Sequence, residues 1–356
     1  MSEKEKTCQT RWLKTNEISM KEYRKALEDA ASLLRDGELV AFPTETVYGL
    51  GGNALDAEAA AKIYSAKGRP SDNPLIVHIS YIDMLEPLVE EIPSVCRRLA
   101  FEFWPGPLTM ILPKSDQVPM ATTGGLDTVA VRMPAHGVAL DLIDTCGLPL
   151  AAPSANRSGK PSPTRGEHVY HDLQGRIPMV LDAGAVEIGL ESTIIDLSRP
   201  EPVILRPGKI TYDDLKPFVP RLKEYHHPSG REIERPKAPG MKYTHYAPEG
   251  TMIMLPLHVE DDFFRALESK EKTAILASTE KIARWRRFCP DVTWIALGAE
   301  DDLDSLAHNL FHALRQCDLL DMETIYIESF SEDGLGEALM NRIRKASSCP
   351  LLIEKQ

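Results

Sequence analysis

The chain has 356 residues, 43% hydrophobic and 26% charged, with a formal net charge of −12 at pH 7. That is ordinary globular composition, with apolar residues enough for two domains, and the acidic balance argues against a non-specific nucleic-acid binder, which needs a basic surface. No apolar run reaches the ~18 residues of a membrane-spanning helix, the charged opening Met1-Ser2-Glu3-Lys4-Glu5-Lys6 leads into no apolar signal segment, and the scattered Cys8, Cys96, Cys146, Cys289, Cys317 and Cys349 lack the C-x-x-C spacing of a zinc ribbon or a thioredoxin-like motif; a cytoplasmic location is expected.

Taken in order, Ser19 to Arg35 reads as an amphipathic helix, with Tyr23, Ala26, Leu27, Ala30, Leu33 and Leu34 at helical spacing and Gly37 as the stop. Leu39 to Phe42 is a buried strand ending at Pro43. The segment Pro43-Thr44-Glu45-Thr46-Val47-Tyr48-Gly49-Leu50-Gly51-Gly52 follows, hydroxyl-rich and then glycine-rich. Glycines there let backbone N–H groups approach a ligand or allow positive φ. Asp56 is placed to cap a helix through Ala57 to Ala66, which runs into Lys67-Gly68-Arg69-Pro70-Ser71-Asp72-Asn73-Pro74 and a second strand, Leu75 to Ile79. Read together these make a βαβ unit. Lys67 and Arg69 are open to two readings: solvated cations at a helix C-terminus, or ligands for an anion.

Residues 81–103 read as helical, interrupted by Pro87 and Pro93, before a sharp corner at Phe103-Trp104-Pro105-Gly106-Pro107 and a strand from Leu108 to Leu112. Thr122-Thr123-Gly124-Gly125 is a loop. The strand after it carries Thr128 at its start and Arg132 at its end; that arginine either reaches solvent or offers a planar fork to a carboxylate. Ala139 to Cys146 reads as a helix and Leu148 to Ala152 as a strand. The donor-rich loop Pro153 to Ser162 follows, with Ser154 and Asn156 at the strand end, where α/β folds tend to place ligands. Met179 to Asp182, Ser192 to Leu197 and Pro202 to Leu205 are strands, and a short helix lies within Ile210 to Val219.

Pro220 to Pro248 reads as a linker, rich in Pro, Lys, His and Glu. A spacer has no need of Tyr243, His245 and Tyr246 so close together. Beyond Gly250, strands at Met252–Leu255, Thr273–Ala277, Val292–Leu297 and Thr324–Ile327 alternate with helical segments that include Phe263–Leu267 and Leu303–Leu314, the pattern of a small parallel sheet with helices on both faces. No G-x-G-x-x-G supports a dinucleotide role. Glu332 to Arg342 reads as a loop leading into a capped surface helix.

Without reference to any family, the first half offers cations (Lys67, Arg69, Arg132, Arg206), hydroxyls (Thr44, Thr128, Ser154, Ser162, Ser192), amides (Asn73, Asn156) and His78, which is either a core histidine or a site residue. No Ser/His/Asp order, H-E-x-x-H or P-loop is present. The set suits a phosphate ligand and a small zwitterion, and a reaction run by positioning and charge stabilisation at phosphorus.

Pro43 to Gly51, Lys67-Gly68-Arg69-Pro70, Pro74-Leu75-Ile76-Val77-His78, the Trp104-Pro105-Gly106-Pro107 corner and Ser154-Ala155-Asn156 resemble the YrdC/YwlC family of threonylcarbamoyl-AMP synthases, over roughly residues 15–220. The linker and the C-terminal part resemble its long, two-domain members. The resemblance implies α/β architecture: a YrdC-like twisted open sheet domain (1–220), a linker closing over the active site (221–249), and a smaller Rossmann-like parallel-sheet domain (250–356). It implies the reaction of L-threonine, bicarbonate and ATP to L-threonylcarbamoyl-AMP and pyrophosphate, feeding N6-threonylcarbamoyladenosine in transfer RNA. Lys67, Arg69 and Asn73 would then hold the triphosphate, with Lys67 and Arg69 catalytic. Thr128, Ser154, Asn156, Ser162, Arg206 and Tyr246 would line the nucleotide site. Thr44, His78, Arg132, Ala152 and Ser192 would hold threonine. Mg2+ is implied as the companion of ATP, without a protein ligand that stands out. The partners implied are the small substrates and the downstream transfer machinery, with no membrane and no need of tRNA contact. The alternative is a non-catalytic double-stranded RNA-binding factor; a carbamoyltransferase of the hydrogenase-maturation kind is disfavoured by the absence of its zinc-finger cysteines.

Overall fold

The structure is a computed structural model that describes residues 9–223, 236–239, 245–267 and 271–350. Cys8 and the linker residues Lys242, Tyr243 and Thr244 lie outside the described residues. In chain order the N-terminal region runs β1 (Arg11–Lys14), α1 (Met20–Arg35), β2 (Val40–Phe42), β3 (Gly49–Asn53), α2 (Ala57–Lys67), β4 (Ile76–His78), a 3₁₀ segment (Ile82–Leu88), α3 (Ser94–Phe103), β5 (Leu108–Pro113), α4 (Met120–Thr123), β6 (Thr128–Arg132), α5 (Gly137–Cys146), β7 (Leu150–Ala151), α6 (Gly166–Leu173), β8 (Met179–Asp182), β9 (Thr193–Asp196), β10 (Val203–Arg206) and α7 (Tyr212–Leu215). The proline-punctuated stretch resolves as anticipated: Pro87 sits inside the 3₁₀ segment and Pro93 is the N-cap of α3.

Helix ends follow local chemistry. Ser19 and Glu22 form a reciprocal capping box on α1, worth about 1 kcal/mol. The Asp56 side chain accepts the Glu58 N–H at the start of α2, and Gly68 closes that helix in the left-handed region at φ 62°. Lys67 is thereby delivered on the last turn.

The strands form one ten-stranded mixed sheet in the order β1-β8-β2-β3-β7-β4-β6-β5-β9-β10. This corrects the opening βαβ unit. The glycine-rich segment is not a ligand loop: Gly49 to Asn53 is strand β3, antiparallel to β2. β7 lies between β3 and β4 and is antiparallel to both, so β3-α2-β4 is the parallel crossover, split by a later strand. The physical reason is packing. A Cβ on Gly51 would sit 2.6 Å from the Phe42 ring, and one on Gly52 would meet Leu39 and Ile63 at 3.0 and 3.2 Å. These glycines admit neighbouring side chains rather than phosphate.

Helices α1, α2, α3 and α5 cover one face of the sheet over the main core, which includes Leu34, Ile63, Leu99 and Leu142. On the other face Ile76, Ile111, Ala130 and Ile194 pack against Ala238 of the linker. Ile76 and Val77 go to opposite faces, as strand alternation requires.

The C-terminal region comprises β11 (Thr251–Met254), α8 (Asp261–Ala266), β12 (Thr273–Ala277), α9 (Thr279–Trp285), β13 (Thr293–Ala296), α10 (Leu303–Leu319), β14 (Thr324–Ile327), α11 (Leu335–Ala346) and β15 (Cys349–Pro350). Its strands pair in parallel in the order β13-β12-β14-β11-β15. Ala274 and Leu276 of β12 face α10 and α11; Ile275 and Ala277 face Phe264 and Trp285 on the other side. The first of these clusters takes in Val47, Leu190 and Tyr246, so the two regions share a core.

That contact overturns the surface reading of the last helix. α11 starts at Gly334 without a side-chain cap and buries Asn341 and Arg342, the latter completely. It is wedged between its own sheet and the N-terminal region, a placement no local pattern records.

Candidate active site

Strands β4, β6 and β10 run the same way, and their last residues are His78, Arg132 and Arg206. Register places His78 beside Arg132. The three side chains line one cavity at the carboxyl ends of the strands, together with Thr44 and residues 46–49, Lys67 and Arg69 at the end of α2, parts of the loop 152–162, Glu191, Ser192 and the linker residues Pro239, His245 and Tyr246.

One side of the cavity is built by the 44–47 turn. The Thr44 hydroxyl donates to the Val47 carbonyl at 2.6 Å and accepts the Thr46 and Val47 N–H groups. Ile188 and Gly189 donate their N–H groups to Glu45 and Thr46. Arg132 donates through Nε to the Gly106 carbonyl at 3.2 Å and through Nη1 to Thr46 Oγ1 at 2.9 Å. The Trp104 corner therefore fixes the arginine through Gly106. Arg132 Nη2 lies 2.6 Å from Glu45 Oε2, but off the N–H direction, and neither Glu45 carboxylate oxygen has a directed hydrogen bond among the described residues. The contact is an ion pair, not a seated fork. Beside it, His78 is pushed down to about 3 by burial and by Arg132, so the imidazole is neutral.

The opposite side is cationic. Lys67 Nζ donates to the backbone carbonyls of Ser154 and Asn156, and among the described residues it has no carboxylate partner. Burial and then Arg69 hold its pKa well below the ordinary lysine value. Arg69 donates to the carbonyls of Asn73 and Pro74 at 3.3 and 3.1 Å. Asn156 knots its own loop by donating to the carbonyls of Arg157 and Lys160. Buried cations that repel one another regain charge when a polyanion arrives.

Between these sides the Ser192 hydroxyl is shared with Thr109 at 2.7 Å and accepts from Arg206 Nη2 at 3.1 Å. Ser162 donates to Glu191 Oε1 at 2.6 Å. Burial opposes the charge on Glu191, yet Arg342 and Arg206 outweigh it and hold the carboxyl at about 2. Tyr246 has φ 70°, an outlier for a tyrosine, and its ring lies 5.1 Å from Phe311.

Thr44, Lys67, Arg69, His78, Arg132, Ala152, Ser154, Asn156, Ser162, Ser192, Arg206 and Tyr246 therefore share one cavity. Thr128 and Asn73 do not line it. Thr128 is at the far end of β6, opposite Pro113, four residues and so about 13 Å from Arg132. Asn73 is buried behind Arg69, where its carbonyl takes the Arg69 Nε–H. Sequence reading passed over Thr46, Glu45, Glu191 and Arg342. Glu191 had one signal, its place directly before Ser192. Arg342 had none.

The cavity gathers the cations Lys67 and Arg69 and the buried arginines Arg132 and Arg206 at the strand ends of an α/β sheet, where such folds bind their ligands. Residues 32–208 match the Sua5/YciO/YrdC family, described as "Telomere recombination", and residues 210–348 match the family described as "Threonylcarbamoyl-AMP synthase, C-terminal domain". The threonylcarbamoyl-AMP synthase of Pyrococcus abyssi is 46% identical over 325 residues, spanning 89% of this chain and 93% of its own. That of Bacillus subtilis is 44% identical, spanning 94% and 95%. The crystal structure of P. abyssi Sua5 complexed with L-threonine has a TM-score of 0.84 at 44% identity, covering 96% of this chain and 97% of that one. The chain belongs to the threonylcarbamoyl-AMP synthase family, in its long form with the additional C-terminal domain.

Proposed function

We infer that this protein makes L-threonylcarbamoyl-AMP from L-threonine, bicarbonate and ATP. The observation that carries the reading is the single cavity with Lys67 and Arg69 on one side and Arg132 with the 44–47 turn on the other. The deprotonated threonine amine adds to the bicarbonate carbon and water leaves. A carbamate oxygen then attacks the α-phosphorus, the bond to the bridging oxygen breaks, and pyrophosphate departs with the electron pair. Lys67 and Arg69 offset charge that grows on the departing pyrophosphate. Ser154, Asn156, Ser162, Arg206 and Tyr246 hold the nucleotide, and Asn73 acts through Arg69. Arg132 takes the threonine carboxylate, with Thr44, His78, Ala152 and Ser192 around the rest of the amino acid.

Among the described residues no cluster of His, Cys, Asp and Glu shapes a metal cage, and the carboxylates nearest the cavity, Glu45 and Glu191, are each committed to an arginine. Mg2+ would accompany ATP as part of the substrate, and no step is assigned to it. The product is a mixed anhydride, suited to transfer onto a transfer RNA adenine by a separate downstream enzyme in the same compartment, the cytoplasm. No helix among the described residues is long and apolar enough to cross a membrane. We place the division of the chain at 1–220, 221–249 and 250–356.

The test is pyrophosphate release with threonine and bicarbonate together and with each omitted. Release that needs both supports the reading; ATP turnover indifferent to threonine overturns it. A site that hydrogen-bonds the threonine hydroxyl rejects an analogue without it by ~10⁴-fold, while loss of one methyl weakens binding by only about 1–3 kcal/mol. Serine is therefore a weaker substrate and valine essentially none, and equal turnover of valine and threonine contradicts this assignment.

A further inference from the structure

Arg342 is the largest side chain with no exposure at all, and it comes from α11 in the C-terminal region. Its Nε donates to Glu191 Oε2 at 2.8 Å, and its Nη1 donates to the Pro207 carbonyl at 2.9 Å and to Asn341 Oδ1 at 3.1 Å. Nη2 reaches the Glu191 carbonyl at 3.4 Å. The guanidinium carbon also lies 5.9 Å from the centre of the Tyr246 ring. Of these neighbours, Glu191 and Tyr246 line the cavity. The Glu191 carboxylate accepts a hydrogen bond from the Ser162 hydroxyl with its other oxygen. Pro207 follows Arg206 directly. Tyr246 is the linker residue against the nucleotide side. One guanidinium therefore ties the N-terminal region, the linker and the C-terminal region together.

We propose that Arg342 is a positioning residue of the active site, which orients Ser162 through Glu191 and holds Tyr246 and the end of β10 in place for the nucleotide. The proposal rests on the functional reading above. It gives the C-terminal region a task in ATP handling, though none of its described residues lines the cavity. The geometry explains the choice of residue. A planar fork satisfies a carboxylate and two backbone carbonyls at once while its face meets an aromatic ring; an ammonium cannot do both. With Arg342 on Oε2, the second Glu191 oxygen faces Ser162, and this acceptor gives the serine hydroxyl a direction.

The experiment uses the full chain and threonine-dependent pyrophosphate release at varied ATP. Arg342→Met is expected to raise KM for ATP and to lower kcat/KM by about 10–100-fold, the scale of a misplacement near 1 Å; Arg342→Lys recovers part of the loss. The deciding readout is a cycle with Ser162. Ser162→Ala costs about tenfold in the native background and close to nothing once Arg342 is methionine, because the hydroxyl is then no longer aimed. If Ser162→Ala costs the same in both backgrounds, Arg342 does not aim the serine hydroxyl and the proposal fails. Should Arg342→Met fail to fold, the pair Arg342→Met with Glu191→Gln removes both buried charges. A folded double variant with native ATP kinetics overturns the proposal; a raised KM for ATP supports it. Wild-type protein without threonine-dependent release sinks the functional reading instead, and calorimetric binding of ATP to the same variants then still decides the role of Arg342.

Discussion

The cavity is flanked by two buried arginine–glutamate pairs that look alike on paper and differ in kind. Arg342 and Glu191 meet across two regions of the chain with every described donor seated on an acceptor. Arg132 and Glu45 meet within one region at 2.6 Å, yet the approach is off-axis and both carboxylate oxygens lack a directed bond. The lesson is that ion-pair distance does not define a role. A saturated fork is a brace. A fork whose third arm rests on a poorly aimed carboxylate keeps capacity for a better one, which fits the role proposed above for Arg132.

The comparison breaks most visibly at Arg132. Arg132→Met paired with Glu45→Gln, so that no buried charge is stranded, is expected to raise KM for threonine by about 100-fold or more, with KM for ATP changed far less. An ATP effect as large as the threonine effect would erase the distinction between the pairs. A sharper test makes the same substitution on both sides. Glu45→Gln removes the internal competitor for Arg132 and should lower KM for threonine by about threefold to tenfold. Glu191→Gln loosens the brace and should raise KM for ATP by about tenfold. Initial-rate kinetics on the two single variants check it, and the same sign at both positions ends the contrast.

The smallest effect is on acid stability and belongs to the contact between regions. The Thr164 N–H donates to His168 Nδ1 at 3.2 Å, so the His168 proton sits on Nε2 and points to His312 Nδ1, also 3.2 Å away. Burial, then Arg315 and His312, pushes His168 down to about 2, and burial lowers His312 as well. The unfolded chain takes up protons near the ordinary histidine value of ~6.5 while the folded chain does not. Stability from these groups is thus complete above that pH and is lost as pH falls below it, by up to about 1.4 kcal/mol per pH unit for His168 and by less for the more exposed, solvent-screened His312. Melting temperature measured from pH 7.5 to 5 should fall, and His168→Phe should flatten the slope. An unchanged slope would place the acid sensitivity elsewhere.

Much of this was open to reading along the chain. α1 and α2, with their caps, follow from spacing and from Ser19, Asp56 and Gly68. The parallel small sheet follows from alternating apolar strands and helices. The cavity residues were found because motifs of unusual composition carry them, not because their types alone declare a site. The glycine-rich segment misled because glycine answers equally to a phosphate and to a phenylalanine ring; Phe42 decides which, and its approach is a matter of packing. The two-residue strand β7 splits β3 from β4, and nothing local in Leu150-Ala151 announces that insertion.

The sequence by itself determined α1, α2, the alternating elements of the small sheet, the family and the strand-end residues His78, Arg132 and Arg206, because these depend on short-range periodicity and on side chains the chain must carry. Tertiary structure alone decided the strand order, the burial of α11 and the pairing of Arg342 with Glu191. Those residues are separated by 151 positions, and a hydrogen bond across that distance leaves no trace in the neighbours of either one. Whether an arginine is a brace or a binding arm depends on the angles of its donors, which exist only once the chain has folded.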